Sequence, residues 1–206
     1  MKKILSTLLA ASLMLLGTQA FAQISVNAGY LNSSIKVGSG DPSNANGAFA
    51  GVSFNVPLFG GLAIAPGVYY SMITSKDTAN LGSIASVSGT FMEHAVNVPA
   101  YLNYNIALNR DTNFFIFGGP TFQYGLSSKT KVAGGVGSVT ADKTFDNYKD
   151  SNLNPFNVYL GGGIGITVAG IQVSVGYDYG MMNLYKGDDA TQSKRSNIKI
   201  GVGFAF

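Results

Sequence analysis

The sequence predicts an all-β chain: a transmembrane, eight-stranded, antiparallel up-and-down β-barrel preceded by a cleavable signal peptide. Three observations predict it. The last nine residues, Ile198-Lys199-Ile200-Gly201-Val202-Gly203-Phe204-Ala205-Phe206, place a large apolar side chain at every second position and stop on an aromatic, which is a strand with one greasy face. The first 22 residues carry the three-part pattern of an export signal. Between these ends, alternating segments are joined by short turns on one side and longer, more charged loops on the other, the plan of a membrane barrel.

The export segment comes first in the chain. Lys2 and Lys3 form a basic start, Ile4 to Leu16 an apolar stretch, and Ala20-Phe21-Ala22 a small-residue cleavage site, so the mature chain is expected to begin at Gln23. A membrane-spanning helix needs about 20 apolar residues, more than this run supplies. The domains expected are therefore 1–22, signal peptide, and 23–206, barrel. No cysteine is present, which excludes lipid attachment through a thiol, a disulfide framework and thiolate metal sites.

Composition narrows the class of the remainder. Of 13 basic residues two fall in the export segment, leaving 11 against 10 acidic ones. That near-balance, with no Lys/Arg cluster to track phosphates, argues against nucleic acid as a partner. Charged residues are 11 % of the chain and glycines number 27. A soluble β-sandwich would carry more charge on its solvent faces. Lipid outside and small side chains inside suit a membrane barrel.

Eight strands are predicted at 24–36, 47–57, 62–73, 91–106, 113–127, 155–168, 171–182 and 195–206. The short connections are 58–61, 107–112 and 169–170. The long ones are 37–46, 74–90, 128–154 and 183–194. An even strand count returns the chain to its starting side, so the short turns and both ends are expected at the periplasm. Parity assigns the faces. In the seventh predicted strand Ile171, Val173, Val175, Tyr177, Tyr179 and Met181 oppose Gln172, Ser174, Gly176, Asp178 and Gly180. In the sixth, Val158, Leu160, Ile164 and Ile166 oppose Asn157, Tyr159 and three glycines, and the second and fourth repeat the pattern. The apolar side is assigned to lipid.

The chain resembles the small eight-stranded outer-membrane β-barrel family, the OmpX/OmpA-like and PorT-like "outer membrane protein β-barrel domain" type. The resemblance rests on Val96-Asn97-Val98-Pro99-Ala100-Tyr101-Leu102-Asn103-Tyr104, on Gly118-Gly119-Pro120 with Tyr124-Gly125-Leu126, on Tyr177-Asp178-Tyr179-Gly180 followed by Asn183, and on Ile198 to Phe206. It implies the barrel fold and a place in the cell outer membrane of a Gram-negative envelope. Phe204 and Phe206 resemble that family's C-terminal insertion signal, which implies the barrel-assembly machinery as a partner, beside outer-membrane lipid and lipopolysaccharide. Role does not carry over with fold.

Chemistry is scarce. The one histidine, His94, falls on the lipid side of the fourth predicted strand near the outer rim, and the Ser that lipid A deacylases set two residues later is Val96 here. A nucleophile without an aligned base is inert at neutral pH, so no catalytic residue is assigned and no enzyme is expected. No His/Cys set suits zinc. Asp41 and Asp188-Asp189 lack the spacing of a calcium loop. Gly134-Gly135 and Gly161-Gly162-Gly163 lack the Lys-Ser/Thr of a phosphate loop. No metal and no cofactor are assigned.

Inside the barrel the ionisable candidates are Glu93, Asp178 and Lys199, expected as a salt-bridge cluster because a lone charge in a narrow lumen is costly. The expected register sets Asp178 opposite Lys199, Met181 opposite Ser196 and Ile171 opposite Phe206, with Glu93 a third member of the contact. Tyr101, Tyr159, Phe115 and Phe117 should fill the lumen, each ring leaning over a cross-strand glycine, with Tyr159 opposite Gly180. An eight-stranded interior is just wide enough to be filled by its own side chains. The expected function is a monomeric, side-chain-filled barrel with a structural or loop-displayed binding or adhesion role toward an extracellular ligand or protein. The alternative is a narrow transport channel or a secretion-associated component, with 128–154 as its docking element.

Overall fold

The computed structural model describes residues 23–38, 40–81, 85–136, 139–186 and 193–206. The expected signal peptide, 1–22, and the Asp188-Asp189 pair lie outside the described residues. Among the described residues there are nine strands: β1 Gln23–Val37, β2 Ser43–Pro57, β3 Leu62–Leu81, β4 Ala85–Ala107, β5 Thr112–Val136, β6 Val139–Asp146, β7 Phe156–Val168, β8 Ile171–Gly180 and β9 Ser193–Ala205. One helical turn, α1 Asn147–Asp150, comes after β6 and is capped by the Asp146 side chain.

Eight of these strands are the staves of a closed, antiparallel barrel. Neighbours run β1-β2-β3-β4-β5-β7-β8-β9, and β9 pairs back onto β1. Closure satisfies every ladder within the wall, which a sheet must do to cross hydrocarbon. Among the described residues no helix is long and apolar enough to span a membrane; the strands make the crossing. Side chains that point outward form an exposed apolar belt, for example Val26, Val68, Leu102, Leu160, Val173 and Val202. Most inward positions are small, polar or aromatic, with Leu31 and Ile73 as aliphatic exceptions, so the wall is inverted relative to a soluble sandwich.

The tight end of the barrel is built by sequence-local chemistry. The β7–β8 hairpin turns on Ala169 and Gly170, with φ of +49° and +85°, the two positive values that a two-residue turn matched to strand twist requires. Val168 and Ile171 face each other across it. Residues 58–61 and 108–111 make the other two short turns. This end is the periplasmic one in outer-membrane barrels.

At the opposite end the strands run further than sequence periodicity suggested. Segment 74–90, expected as a loop, is hairpin: β3 and β4 stay paired to Leu81 and Ala85. Much of 37–46 is strand as well, with Ile35 paired to Ser43. Within 128–154, β5 continues to Val136 and β6 folds back along it. The segments β3, β4, β5 and β6 thus form a four-stranded wing above the barrel. Its polar, glycine-rich alternation carries no greasy face, which is why periodicity stops short of it. A β-bulge starts the wing. His94 faces Ser127 and Ala95 faces Gly125, leaving Leu126 as the extra residue. A bulge bends its strand and re-aims the side chains past it; the buried positions of β5 run over odd numbers at Thr121 and Gln123 and switch to Ser128, not Ser127, beyond it.

Candidate functional site

The lumen is crossed by two polar struts. Glu93 on β4 and Arg195 on β9 are both about 3 % exposed, and the guanidinium donates to both carboxylate oxygens at 2.5 and 3.0 Å. β4 and β9 stand four staves apart in a ring of eight, so this pair spans a full diameter. The second strut lies nearer the periplasm. Lys199 Nζ on β9 lies 2.6 Å from Asp178 Oδ2 on the adjacent β8 and donates to Tyr101 Oη on β4 at 2.9 Å. Tyr101 in turn donates to Asp178 Oδ1 at 3.3 Å and has Thr121 Oγ1 at 2.9 Å. Every member gains a partner of opposite character, which offsets desolvation that would otherwise exceed the Coulomb gain.

The structure separates the three ionisable residues named from sequence into two places. Asp178 and Lys199 meet. Glu93 is not part of that contact; it pairs with Arg195. The expected register of the last hairpin is also corrected by two residues: Asp178 faces Asn197, Lys199 faces Gly176, Tyr179 faces Ser196 and Ile171 faces Phe204. The chain end overhangs the turn. Ala205 N–H donates to Gly170 O and Phe206 N–H to Ile24 O on β1, both at 2.8 Å, so β9 is registered by two neighbours rather than ending flush with one. A shift of two keeps the face of every side chain, and the long lysine arm spans the resulting diagonal. Arg195 has the same parity as Lys199, and that parity was the signal available for it. It sits at the first residue of the predicted strand, where alternation is hard to distinguish from loop.

Glycines set how close these groups come. A Cβ at Gly161 would collide with Asp178 Oδ1, so the bare backbone of β7 leaves the carboxylate its place. Phe117 covers Gly163 and Phe115 covers Gly165, while Phe49 lies over Gly29 and Gly201. Tyr159 does face Gly180. The atoms nearest a Cβ there, however, belong to the Arg195 backbone. The buried Tyr159 hydroxyl instead donates to Gln123 Oε1 at 2.9 Å, Gln123 donates to Asn97 at 3.0 Å and Asn97 to Ser71 Oγ at 2.8 Å. That chain ties β7, β5, β4 and β3 together across the interior.

The outer half of the lumen is closed. Leu31, Ala45 and Ile73 are buried together, with Phe49 and Phe91 packed against them. Above them α1 lies over the mouth: Asn147 donates to Ser128 Oγ at 3.0 Å and accepts from Thr130 Oγ1 at 3.0 Å. The Tyr148 hydroxyl fills the space a Cβ at Gly125 would take. Burial, with the Glu93 carboxylate adding to it, pushes the Tyr148 phenol above its ordinary value, so it stays neutral at physiological pH. Leu153 and Leu184, joined through the Asn154 N–H to Leu184 O bond of 2.7 Å, complete the lid. Around the lower strut and toward the periplasm lies a polar cavity of about 170 Å³, bordered by Asn27, Ser53, Tyr69, Asn97, Asn103 and Lys199, with room for several waters.

His94 lies on the outer wall, its Nδ1 2.5 Å from the Tyr70 hydroxyl and its ring stacked on that tyrosine at 5.9 Å. Phe204 and Phe206 lie on the outer wall at the periplasmic end, edge to face at 4.9 Å. Among the described residues no group of three His, Cys, Asp or Glu side chains could hold a metal ion.

Several solved barrels are similar in structure. The attachment invasion locus protein Ail of Yersinia pestis, in complex with the heparin analogue sucrose octasulfate, is 14 % identical, with 90 % of this chain and 99 % of that one covered and a TM-score of 0.49. Neisserial surface protein A is 13 % identical, with 89 % and 97 % covered and a TM-score of 0.47. LpxR of Salmonella typhimurium is 10 % identical, with 89 % and 100 % covered and a TM-score of 0.27. No curated protein sequence matches the chain. The family model for the outer membrane protein beta-barrel domain matches residues 17–186, which takes in every stave but β9. The exposed apolar belt on those staves is what such a domain turns toward lipid. The chain therefore belongs to the outer-membrane protein β-barrel domain family, and its place is the outer membrane.

Proposed function

We propose that the protein is a closed display barrel, one that anchors an extracellular wing for binding or adhesion and conducts no solute. The observation that carries this reading is the obstructed lumen: the Glu93–Arg195 pair crosses it, the Leu31/Ala45/Ile73 cluster packs beside that pair, with Ile73 facing Glu93 in the ladder, and α1 is tied to Ser128. With the lumen crossed by side chains, what protrudes is the wing built on β3 to β6. Loops and extensions on a rigid scaffold are where binding resides. The wing's ligand is expected to be an extracellular protein or glycan, and the working unit a monomer, since the ring of ladders closes within one chain.

Two measurements test this. The refolded protein in a planar bilayer should give no conductance steps; regular steps would replace this reading with the narrow-channel one. Cells displaying a variant with residues 129–146 replaced by a short turn should lose attachment to host-type surfaces, with unchanged barrel abundance in the outer membrane. Equal attachment by both would overturn the display role.

A further inference from the structure

A second feature lies outside the barrel wall, at the outer edge of the lipid belt. Lys36 on β1 and Lys194 on β9 face each other directly in the ladder. Both have the outward parity of Tyr30 and Ile198. Like charges opposite one another on adjacent strands destabilise a sheet. Neither lysine lies within ion-pair distance of a carboxylate among the described residues. Lys194 lies over the Tyr179 ring at 5.2 Å. The two lysines border an open concavity of about 710 Å³, shared with Asn32, Ser196, Tyr177 and Tyr179.

Its height along the wall identifies what can occupy it. On β9 the outward residues Phe204, Val202, Ile200 and Ile198 are apolar, and Ser196 and Lys194 come next toward the outer rim. On β1 the outward Val26 and Tyr30 give way to Asn32, Ser34 and Lys36. Lys194 stands four residues beyond Ile198, the last apolar outward residue, about 13 Å along a tilted strand, which carries it past the apolar belt to the polar side of the membrane boundary. Just below, Tyr179 opposite Ser196 and Tyr177 opposite Ile198 form a pair at the upper edge of the apolar belt, with an apolar face for a ring or chain and a hydroxyl for water.

We propose that Lys36 and Lys194 clamp the phosphate of an outer-leaflet glycolipid headgroup, with Tyr177 and Tyr179 against its sugar. The shared anion removes the repulsion that the bare rung carries, and two ammonium groups on one phosphate give charge-assisted hydrogen bonds. This site is independent of the wing and its ligand; it rests on the outer-membrane location alone.

The test uses the refolded full-length barrel in zwitterionic detergent micelles, with bound lipid read by native mass spectrometry. The probes are bisphosphorylated lipid A, the same lipid dephosphorylated, and inorganic phosphate. Wild type should retain one phosphorylated lipid, and Lys36→Gln with Lys194→Gln should weaken retention by about tenfold, the scale of a lost charge contact at a half-wet site. Lys129→Gln, on the opposite side of the barrel, should leave it unchanged. A second readout is independent of binding strength. Without lipid the double variant should unfold at a higher temperature than wild type, and phosphorylated lipid A should raise the wild-type midpoint only. Equal retention of dephosphorylated lipid, or lipid binding unaffected by the double variant, would overturn the clamp. Full displacement by equimolar inorganic phosphate would assign the rung to free anions and overturn the glycolipid.

Discussion

Removing a single partner should reveal how the struts work. Glu93→Gln leaves Arg195 uncompensated in a dry site and should cost about 3–5 kcal/mol, whereas Glu93→Leu combined with Arg195→Met should recover most of that loss. Equilibrium urea unfolding of the barrel in lipid vesicles measures both. For the lower strut a double-mutant cycle of Asp178→Asn and Lys199→Gln should give a coupling of about 0.5–3 kcal/mol; simple additivity would mean that the 2.6 Å contact contributes nothing. Tyr159→Ala should cost about 3–5 kcal/mol, as for other large buried rings, and Tyr159→Phe about 1 kcal/mol for its hydrogen bond to Gln123. Parity alone made Asp178, Lys199 and Tyr159 legible as inward residues, because period 2 leaves no third choice. It does not report distance along a neighbouring strand, so the Arg195 partner of Glu93 and the two-residue offset of the last hairpin were not legible.

At the scale of the strand, alternation reads well where one side meets lipid and fades where both sides meet water. The staves from β1 to β9 were legible for that reason. The upper parts of β3, β4 and β5, and all of β6, were not, since polar residues on both faces leave no period to count. The bulge at Leu126 is likewise silent in sequence, because it emerges only when β4 is laid beside β5. Gly163 is a close-approach position: a Cβ would strike the Val175 carbonyl and the Phe117 ring. Gly163→Val should therefore abolish the folded species on a heat-modifiability gel, while Val173→Ala, on the lipid face of the partner strand, should leave it intact. The terminal strand carries a separate expectation. Phe206 is 72 % exposed, so Phe206→Ala should lower the amount assembled in the outer membrane while leaving the unfolding midpoint of the assembled barrel unchanged. Unaltered abundance would remove this end from recognition by the assembly machinery.

For the whole molecule, the exposed apolar belt predicts that the chain folds in detergent or lipid and not in plain buffer; a monodisperse folded species without amphiphile would overturn that. The two struts have a mechanical consequence as well. Both join β9 to β4, so the thin-walled tube is braced by ion pairs along one diameter, while among the described residues no ion pair spans the perpendicular one, from β2 to β7. Such a tube resists flattening in one direction and yields in the other, so lateral tension in the bilayer should make its cross-section elliptical about a fixed axis. Spin labels at Val52 and Ile164, on β2 and β7, should show a separation that broadens and shifts as bilayer thickness changes. Labels at Val96 and Ile200, on β4 and β9, should hold theirs. Equal shifts along both diameters would mean that the wall alone sets the stiffness.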